Sequence, residues 1–140
     1  MQTYNHILVA VDMYSEYDLV LKKALAIASG TTTLSLVYVT LPMVNFQPYG
    51  MAYDNEFFNN LCQQNAQKLR EIASQHGIAE NRLYTPIGSP ANEIHAIAEQ
   101  IDADLIVIGT HGKSGLQLLL GSTANGVLHG VKCDVLAIKV

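Results

Sequence analysis

The stretch ADLIVIGTHGKSGLQLLLGSTANGVL, residues 103–128, contains an apolar run, a glycine-rich segment and a helical pattern in succession. The run 103–109 is typical of a strand buried on both faces. The glycines of 109–121 predict a loop, and Ser122 is a suitable N-cap for the helix that follows. The apolar residues of this helix recur at helical spacing, at Ala124, Val127, Leu128 and Val131. The stretch therefore predicts a strand–loop–helix unit.

The same alternation of apolar runs and helical stripes continues on both sides of this unit. Further apolar runs predict strands at 6–11, 33–39, 81–86 and 134–140. Helical stripes predict helices at 15–29 and 54–76, and Ser89 with Pro90 predicts the start of another. Five β units alternating with four α units indicate an α/β fold: an open five-stranded parallel sheet with helices on both faces, in a single domain over 1–140. Ligands of such folds bind at the C-terminal edge of the sheet, where the strand order reverses.

Composition narrows the classes of function. The chain of 140 residues is 49% apolar and 14% charged, with a formal charge of −4 and no run of lysine or arginine. Nucleic acid is therefore a poor candidate partner, because neutralising phosphates requires clustered positive charge. No secretory signal or membrane span is recognisable. Cys62 and Cys133 form no motif, so we expect two buried thiols in a protein of the reducing cytoplasm.

The glycine-rich loop matches neither of the common phosphate-binding motifs. A Walker A loop ending at Lys113 would need its first glycine at position 107, where Val107 lies inside the strand. The dinucleotide fingerprint GxGxxG is also absent. What remains is a split site, in which one pair of glycines leaves the strand and Gly121 precedes the helix. Asp12 reaches the same edge from the first strand, and its carboxylate suits a ribose hydroxyl or an amine better than a phosphate.

Several stretches together resemble the universal stress protein family. They are HILVAVD (6–12), GSPANEI (88–94), GTHGKSG (109–115), LLLGSTANGVL (118–128) and CDVLAIKV (133–140). The resemblance implies the sheet order 3-2-1-4-5 and, for many members, a dimer. One branch of the family binds ATP through the pattern Gly-x-x-Gly, nine residues, Gly-Ser/Thr, and another branch lacks these glycines. Here eight residues separate Gly112 from Gly121, so we expect an altered loop path that would suit AMP or ADP.

The resemblance also implies roles for individual residues. The adenosine side would be lined by Ala10, Val11 and Asp12, the adenine would meet the backbone of Val39, and the ribose would meet Gly109. The phosphates would contact Gly112, Gly121, Ser122 and Thr123, with His111 beside them. A magnesium ion would accompany the nucleotide. The last strand would pair with itself across a homodimer, through residues 134–139, and so cover an exposed sheet edge.

Simpler interpretations stand beside these. Asp12 can serve as a cap of the first helix or its loop, Ser122 is an N-cap with or without a ligand, and His111 can be a solvent-exposed loop residue. No catalytic residue set is recognisable. The leading hypothesis is a nucleotide-binding module of stress response or signalling that acts as a dimer and engages an unidentified protein partner. The alternatives are a slow ATPase or autophosphorylating protein, and a nucleotide-independent dimeric interaction protein.

Overall fold

The computed structural model describes residues 3–13, 16–42, 55–110 and 122–140. The five strands form one parallel sheet in the order β3-β2-β1-β4-β5, which confirms the predicted class and strand order. The elements are β1 (His6–Ala10), α1 (Tyr17–Ile27), β2 (Thr33–Val37), α2 (Asn55–Gln75), a 3₁₀ turn (Glu80–Arg82), β3 (Leu83–Tyr84), α3 (Pro90–Gln100), β4 (Leu105–Gly109), α4 (Ser122–Leu128) and β5 (Asp134–Ile138).

Successive residues of the central strands point to opposite faces of the sheet, and both faces are covered. On one face α1 and α2 pack on alternate strand residues, and their cluster includes Ile7, Val9, Leu36, Val107, Val20, Leu21, Leu69 and Ile72. On the other face α3 and α4 pack on the intervening residues, and their cluster includes Leu8, Val37, Ile106, Ile108, Ile94, Ile97, Ala124 and Val127. This burial on both sides explains why the strands are continuous apolar runs.

Three local predictions were wrong. Leu128 and Ile27 belong by their helical spacing to the apolar stripes of the predicted helices, but they are 41% and 37% exposed. The third strand covers two residues instead of six, because 80–82 form a 3₁₀ turn and Pro86 has no N–H to donate to a ladder. The predicted N-cap of α3 is confirmed at Ser89, although its side chain makes no capping hydrogen bond.

α2 is buried less completely than its apolar pattern predicts. Of the apolar residues that recur at helical spacing along it, only Leu69, Ile72 and Ala73 are buried. Those nearer its start are half-buried: Phe58, Leu61, Cys62 and Ala66. Asn65, which no apolar pattern predicts, is also buried. No helix in the described parts of the chain has the length and apolar character needed to cross a membrane.

His6 connects β1 to β2, to the residue before β4 and to the end of α3, at the N-terminal edge of the sheet. Its Nε2 lies 2.6 Å from Oγ of the fully buried Ser35, and its backbone N–H donates to Asp104 at 2.9 Å. Burial lowers the pKa of His6, and the positive charge of Arg82 lowers it further, while the Ile101 carbonyl and Asp104 oppose the shift. The folded protein therefore favours the neutral imidazole.

We predict that this histidine makes the protein less stable in mild acid. Because its pKa is lower in the folded than in the unfolded chain, its contribution is complete above about pH 6.5 and is lost as the pH falls through the folded value. Chemical denaturation of the wild type between pH 7.5 and pH 5 should show this loss. His6→Gln should flatten the profile, whereas His129→Gln, at an exposed position, should not. Parallel profiles for wild type and His6→Gln would contradict the assignment.

Candidate functional site

The strand order reverses between β1 and β4, so the candidate site lies at the C-terminal ends of these two strands and of β2. Ala10 is in register with Val37 on one side and with Ile108 on the other. The Val11 N–H adds one more bond, to the Val37 carbonyl at 2.9 Å. Beyond this bond the chain leaves β1 and runs toward α1. The tail of β2 (residues 38–40) and the tail of β4 (residue 110) lie on either side of this point.

Val39, on the tail of β2, directs its backbone toward this place. Its neighbours face the other way: the Tyr38 N–H donates to Tyr84 O, and the Thr40 N–H donates to Pro86 O, both at 3.0 Å. Since successive residues of an extended chain point their polar groups to opposite sides, the N–H and C=O of Val39 face the β1 side. Within the described residues they form no hydrogen bond. An adjacent donor and acceptor are thus presented at the switch point.

The predicted adenosine side divides between the two faces of the sheet. Ala10 and Val39 are half-buried and pack on the α3/α4 cluster. Val11 is 6% exposed and points into the α1/α2 core, so only its backbone is available to a ligand. Asp12 is half-buried. The N-cap position of α1 is occupied by Glu16, whose side chain makes no capping hydrogen bond.

Gly109 ends β4 at a position where a side chain would fit tightly. A Cβ at this position would lie 3.1 Å from Val140 Cγ2 and 3.3 Å from Val20 Cγ2. That direction is toward α1 and the tail of β5, so any contact with a ribose would come from the backbone. Next to it, Thr110 is buried and joins β4 to β5: its N–H donates to Ile138 O at 2.9 Å, and its Oγ1 accepts from Val140 N at 3.3 Å.

The predicted phosphate side is described only in part. α4 begins at Ser122, as predicted, and Thr123 is half-buried in its first turn. His111, Gly112 and Gly121 lie outside the described residues. With seven residues, α4 has two turns, so any anion would be bound by its first N–H groups rather than by a long helix dipole.

α3 holds α4 in place through a stripe of residues spaced four apart. The Cβ of Ala91 is so close to Gly126 that a Cβ there would lie 2.7 Å away. One turn later, His95 Nε2 donates to the Val127 carbonyl at 2.7 Å. The sequence indicated neither contact, because His95 is one of several scattered histidines and Gly126 resembles an ordinary helical glycine.

A buried polar pair near the site was also not predicted from the sequence. Thr40 and Asn65 are 5% and 3% exposed, and Asn65 Nδ2 donates to Thr40 Oγ1 at 3.1 Å. The pair joins α2 to the tail of β2, next to Val39. Its only sequence signal is an asparagine at a position that shares the buried face of α2 with Leu69 and Ile72.

The side chains of the described residues do not suggest covalent or metal chemistry. No group of three or more His, Cys, Asp or Glu among them is placed to hold a metal ion. The cysteines are half-buried rather than fully buried, and they form no disulfide. Burial and the nearby Asp134 and Asp104 raise the pKa of the Cys133 thiol, which makes it a poor nucleophile. The site instead offers backbone donors and acceptors.

Known proteins are similar to this chain over nearly its whole length. The model of the universal stress protein family matches residues 3–139. Universal stress protein A homolog 2 of Coxiella burnetii is 36% identical, over 100% of this chain and 98% of its own length, and homolog 1 of the same organism is 35% identical.

Solved structures share the fold. UspA of Lactobacillus plantarum superposes with a TM-score of 0.74 at 26% identity, covering 99% of both chains. Hypothetical protein MJ0577 superposes with a TM-score of 0.83 at 25% identity, covering 99% of this chain and 98% of its own. A universal stress protein in complex with cAMP superposes with a TM-score of 0.66 at 21% identity, covering 99% and 98% of the two chains. By its sequence and by its strand order, the chain belongs to the universal stress protein family.

Proposed function

We propose that this protein binds ATP or a related adenine nucleotide at the edge formed by β2, β1 and β4, and acts as a dimer in stress response or signalling. The observation that carries the proposal is the backbone of Val39. Its N–H and C=O face the switch point with no hydrogen bond to the described residues. An adjacent donor and acceptor at this half-buried position suit a ligand that offers both an acceptor and a donor. The edge of an adenine base offers both.

The rest of the nucleotide follows the same edge. Asp12 would accept from a ribose hydroxyl, Ala10 would pack on the sugar or base, and Val11 and Gly109 would contribute only backbone. The phosphates would reach Gly112, Gly121, Ser122 and Thr123, beside His111. The cAMP complex of a protein with this fold supports an adenine nucleotide as the ligand class. A magnesium ion would be held mainly by the phosphates, since the described residues offer no metal-binding cluster.

The test begins with the purified protein, prepared without added nucleotide. After denaturation, the supernatant is separated by anion exchange, which distinguishes ATP, ADP and AMP. Release of one adenine nucleotide per chain supports the proposal. Whether it is ATP, ADP or AMP shows how many phosphates the loop with eight residues between Gly112 and Gly121 accommodates. If none is released, a calorimetric titration with ATP and magnesium follows. No binding up to millimolar ATP would refute the proposal and favour the nucleotide-independent interaction protein.

The dimer proposal rests on β5, an edge strand of the sheet. The Ile138 carbonyl faces β4, where it accepts from Thr110. The alternate residue Ala137 is exposed and directs its N–H and C=O outward. Two such edges could pair in antiparallel fashion through residues 134–139 about a two-fold axis, and thereby satisfy each other's backbone groups.

We predict that Ala137→Pro converts the dimer to a monomer. Proline removes an outward N–H that the β4–β5 ladder does not use, so the monomer should stay folded. Light scattering after size exclusion should show the chain mass, and far-UV dichroism should be unchanged. Leu136→Pro is the control, since its N–H faces β4 and its loss should destabilise the monomer itself. A dimeric Ala137→Pro variant would show that β5 is not the interface.

An enzymatic role remains the second proposal, as a slow ATPase or an autophosphorylating protein with Ser122 or Thr123 as acceptor. Phosphate release above the background of a Gly121 variant would support it. The two unbridged cysteines are consistent with the proposed cytoplasmic location. Residues 1–140 would act as one nucleotide-binding domain, and a protein partner would sense its state.

A further inference from the structure

The buried pair of Thr40 and Asn65 lies next to Val39, whose backbone would bind the adenine base. Burying an amide and a hydroxyl is unfavourable unless they are hydrogen-bonded, and this pair provides a 3.1 Å bond at a position that an apolar pair could fill. An apolar contact would hold the chain without a fixed direction, whereas a hydrogen bond requires defined distances and angles. The pair therefore restricts where the tail of β2 lies.

Thr40 is held on two sides. Its N–H donates to Pro86 O and its carbonyl accepts from Gly88 N, both at 3.0 Å, which joins it to the chain after β3. Its side chain is bonded to α2 through Asn65. The peptide between Val39 and Thr40 is thus anchored at one end, and this anchor sets the plane in which the Val39 carbonyl points.

We propose that Asn65 is a positioning residue for base recognition: through the Thr40 hydroxyl it holds the Val39 N–H and C=O in the direction that an adenine requires. The inference rests on the proposed nucleotide function, and it adds α2 to the elements that determine affinity for the base. Neither Asn65 nor Thr40 needs to touch the ligand. Removing the bond leaves the two backbone bonds of Thr40 in place, but it frees the tail of β2 from α2 without removing any group that the ligand contacts.

The experiment measures binding of adenosine and of ATP with magnesium by calorimetry. Thr40→Val and Asn65→Leu remove the bond with little change of volume, and each should weaken both ligands by about tenfold, the size expected for a lost orienting hydrogen bond. The two ligands should weaken equally, because the phosphate contacts are unchanged. Thr40→Ser keeps the hydroxyl and should stay within about twofold of the wild type.

Ser35→Ala is the matched control. It removes a buried hydroxyl from the opposite end of β2, where Ser35 pairs with His6. It should lower thermal stability and leave both affinities unchanged. If Ser35→Ala weakens adenosine as much as Thr40→Val does, the effect is one of general stability and the inference is wrong.

The double variant Thr40→Val/Asn65→Leu tests whether the two residues act through one bond. Its loss of affinity should equal that of Asn65→Leu alone, because Thr40→Val then has no bond left to remove. Additive losses would overturn the inference, and so would full affinity in Asn65→Leu when the wild type binds. If the wild type binds neither adenosine nor ATP, the proposed function itself fails and the inference falls with it.

Discussion

Replacing Val39 by proline should abolish adenine nucleotide binding while the protein stays folded. The substitution removes the N–H that would donate to the base and places the proline ring where the base would lie. We expect affinity for ATP to fall by about 100-fold or more, since a lost hydrogen bond and a steric conflict add. The fold should tolerate the change, because this N–H makes no bond to the described residues and its flanking residues are extended. Stability should fall by about 1 kcal/mol, from the lost packing of a half-buried valine.

The neighbouring residue supplies the control for this substitution. The Thr40 N–H donates to Pro86 O, so Thr40→Pro should destabilise the fold directly and by clearly more than Val39→Pro does. Calorimetric titration and thermal melts of both variants separate the two effects. Gly121→Leu addresses the other end of the nucleotide: it should abolish ATP binding and spare adenosine. Normal ATP affinity in Val39→Pro would exclude the β2 tail as the base-binding segment.

The architecture could be predicted from the sequence because both faces of the sheet are buried. The central runs 7–11 and 105–108 are apolar at every position, which identifies parallel strands covered by helices. Because both faces are buried, however, the sequence does not indicate which face of the sheet each strand residue occupies. Ala10 and Val11 both have apolar side chains, and nothing in the run indicates which side of the sheet each one faces. In the structure Ala10 packs toward α3 and α4, and Val11 packs toward α1 and α2. The list of residues lining the site could therefore be predicted, but not which of them offer side chains.

The contacts that were missed are all between residues distant in sequence. Gly109 has the spacing of a ligand loop, and only the fold shows that Val20 and Val140 take up the space beside it. Asn65 lies in a helix rich in amides, and its place on the buried face of α2 does not reveal its role until Thr40 is found opposite. A single asparagine or glycine carries no periodic signal, and its role depends on a partner that only the tertiary structure supplies.

Gly126→Ala should destabilise the protein although alanine is the better helix former. Its Cβ would lie 2.7 Å from the Cβ of Ala91, and neither atom can move without its helix. Alanine in place of glycine stabilises a helix by about 1 kcal/mol through its higher helix propensity. A forced overlap in a packed interface costs about 1–3 kcal/mol, and the severe overlap here places the cost at the upper end of that range. We expect a net loss of about 2 kcal/mol and a melting temperature lower by roughly 5–10 °C. Gly30→Ala, where nothing lies within 4 Å of the new Cβ, should be neutral or slightly stabilising.

The compensating double variant separates this packing from other causes. In Gly126→Ala/Ala91→Gly the methyl group moves from one helix to the other, so the overlap disappears and stability should return to within about 1 kcal/mol of the wild type. Because α4 begins at Ser122, the single variant should also displace the proposed phosphate side and weaken ATP more than adenosine. The double variant should recover both properties together. Recovery of stability without recovery of ATP affinity would mean that the α3–α4 contact supports the fold but does not position the phosphate site.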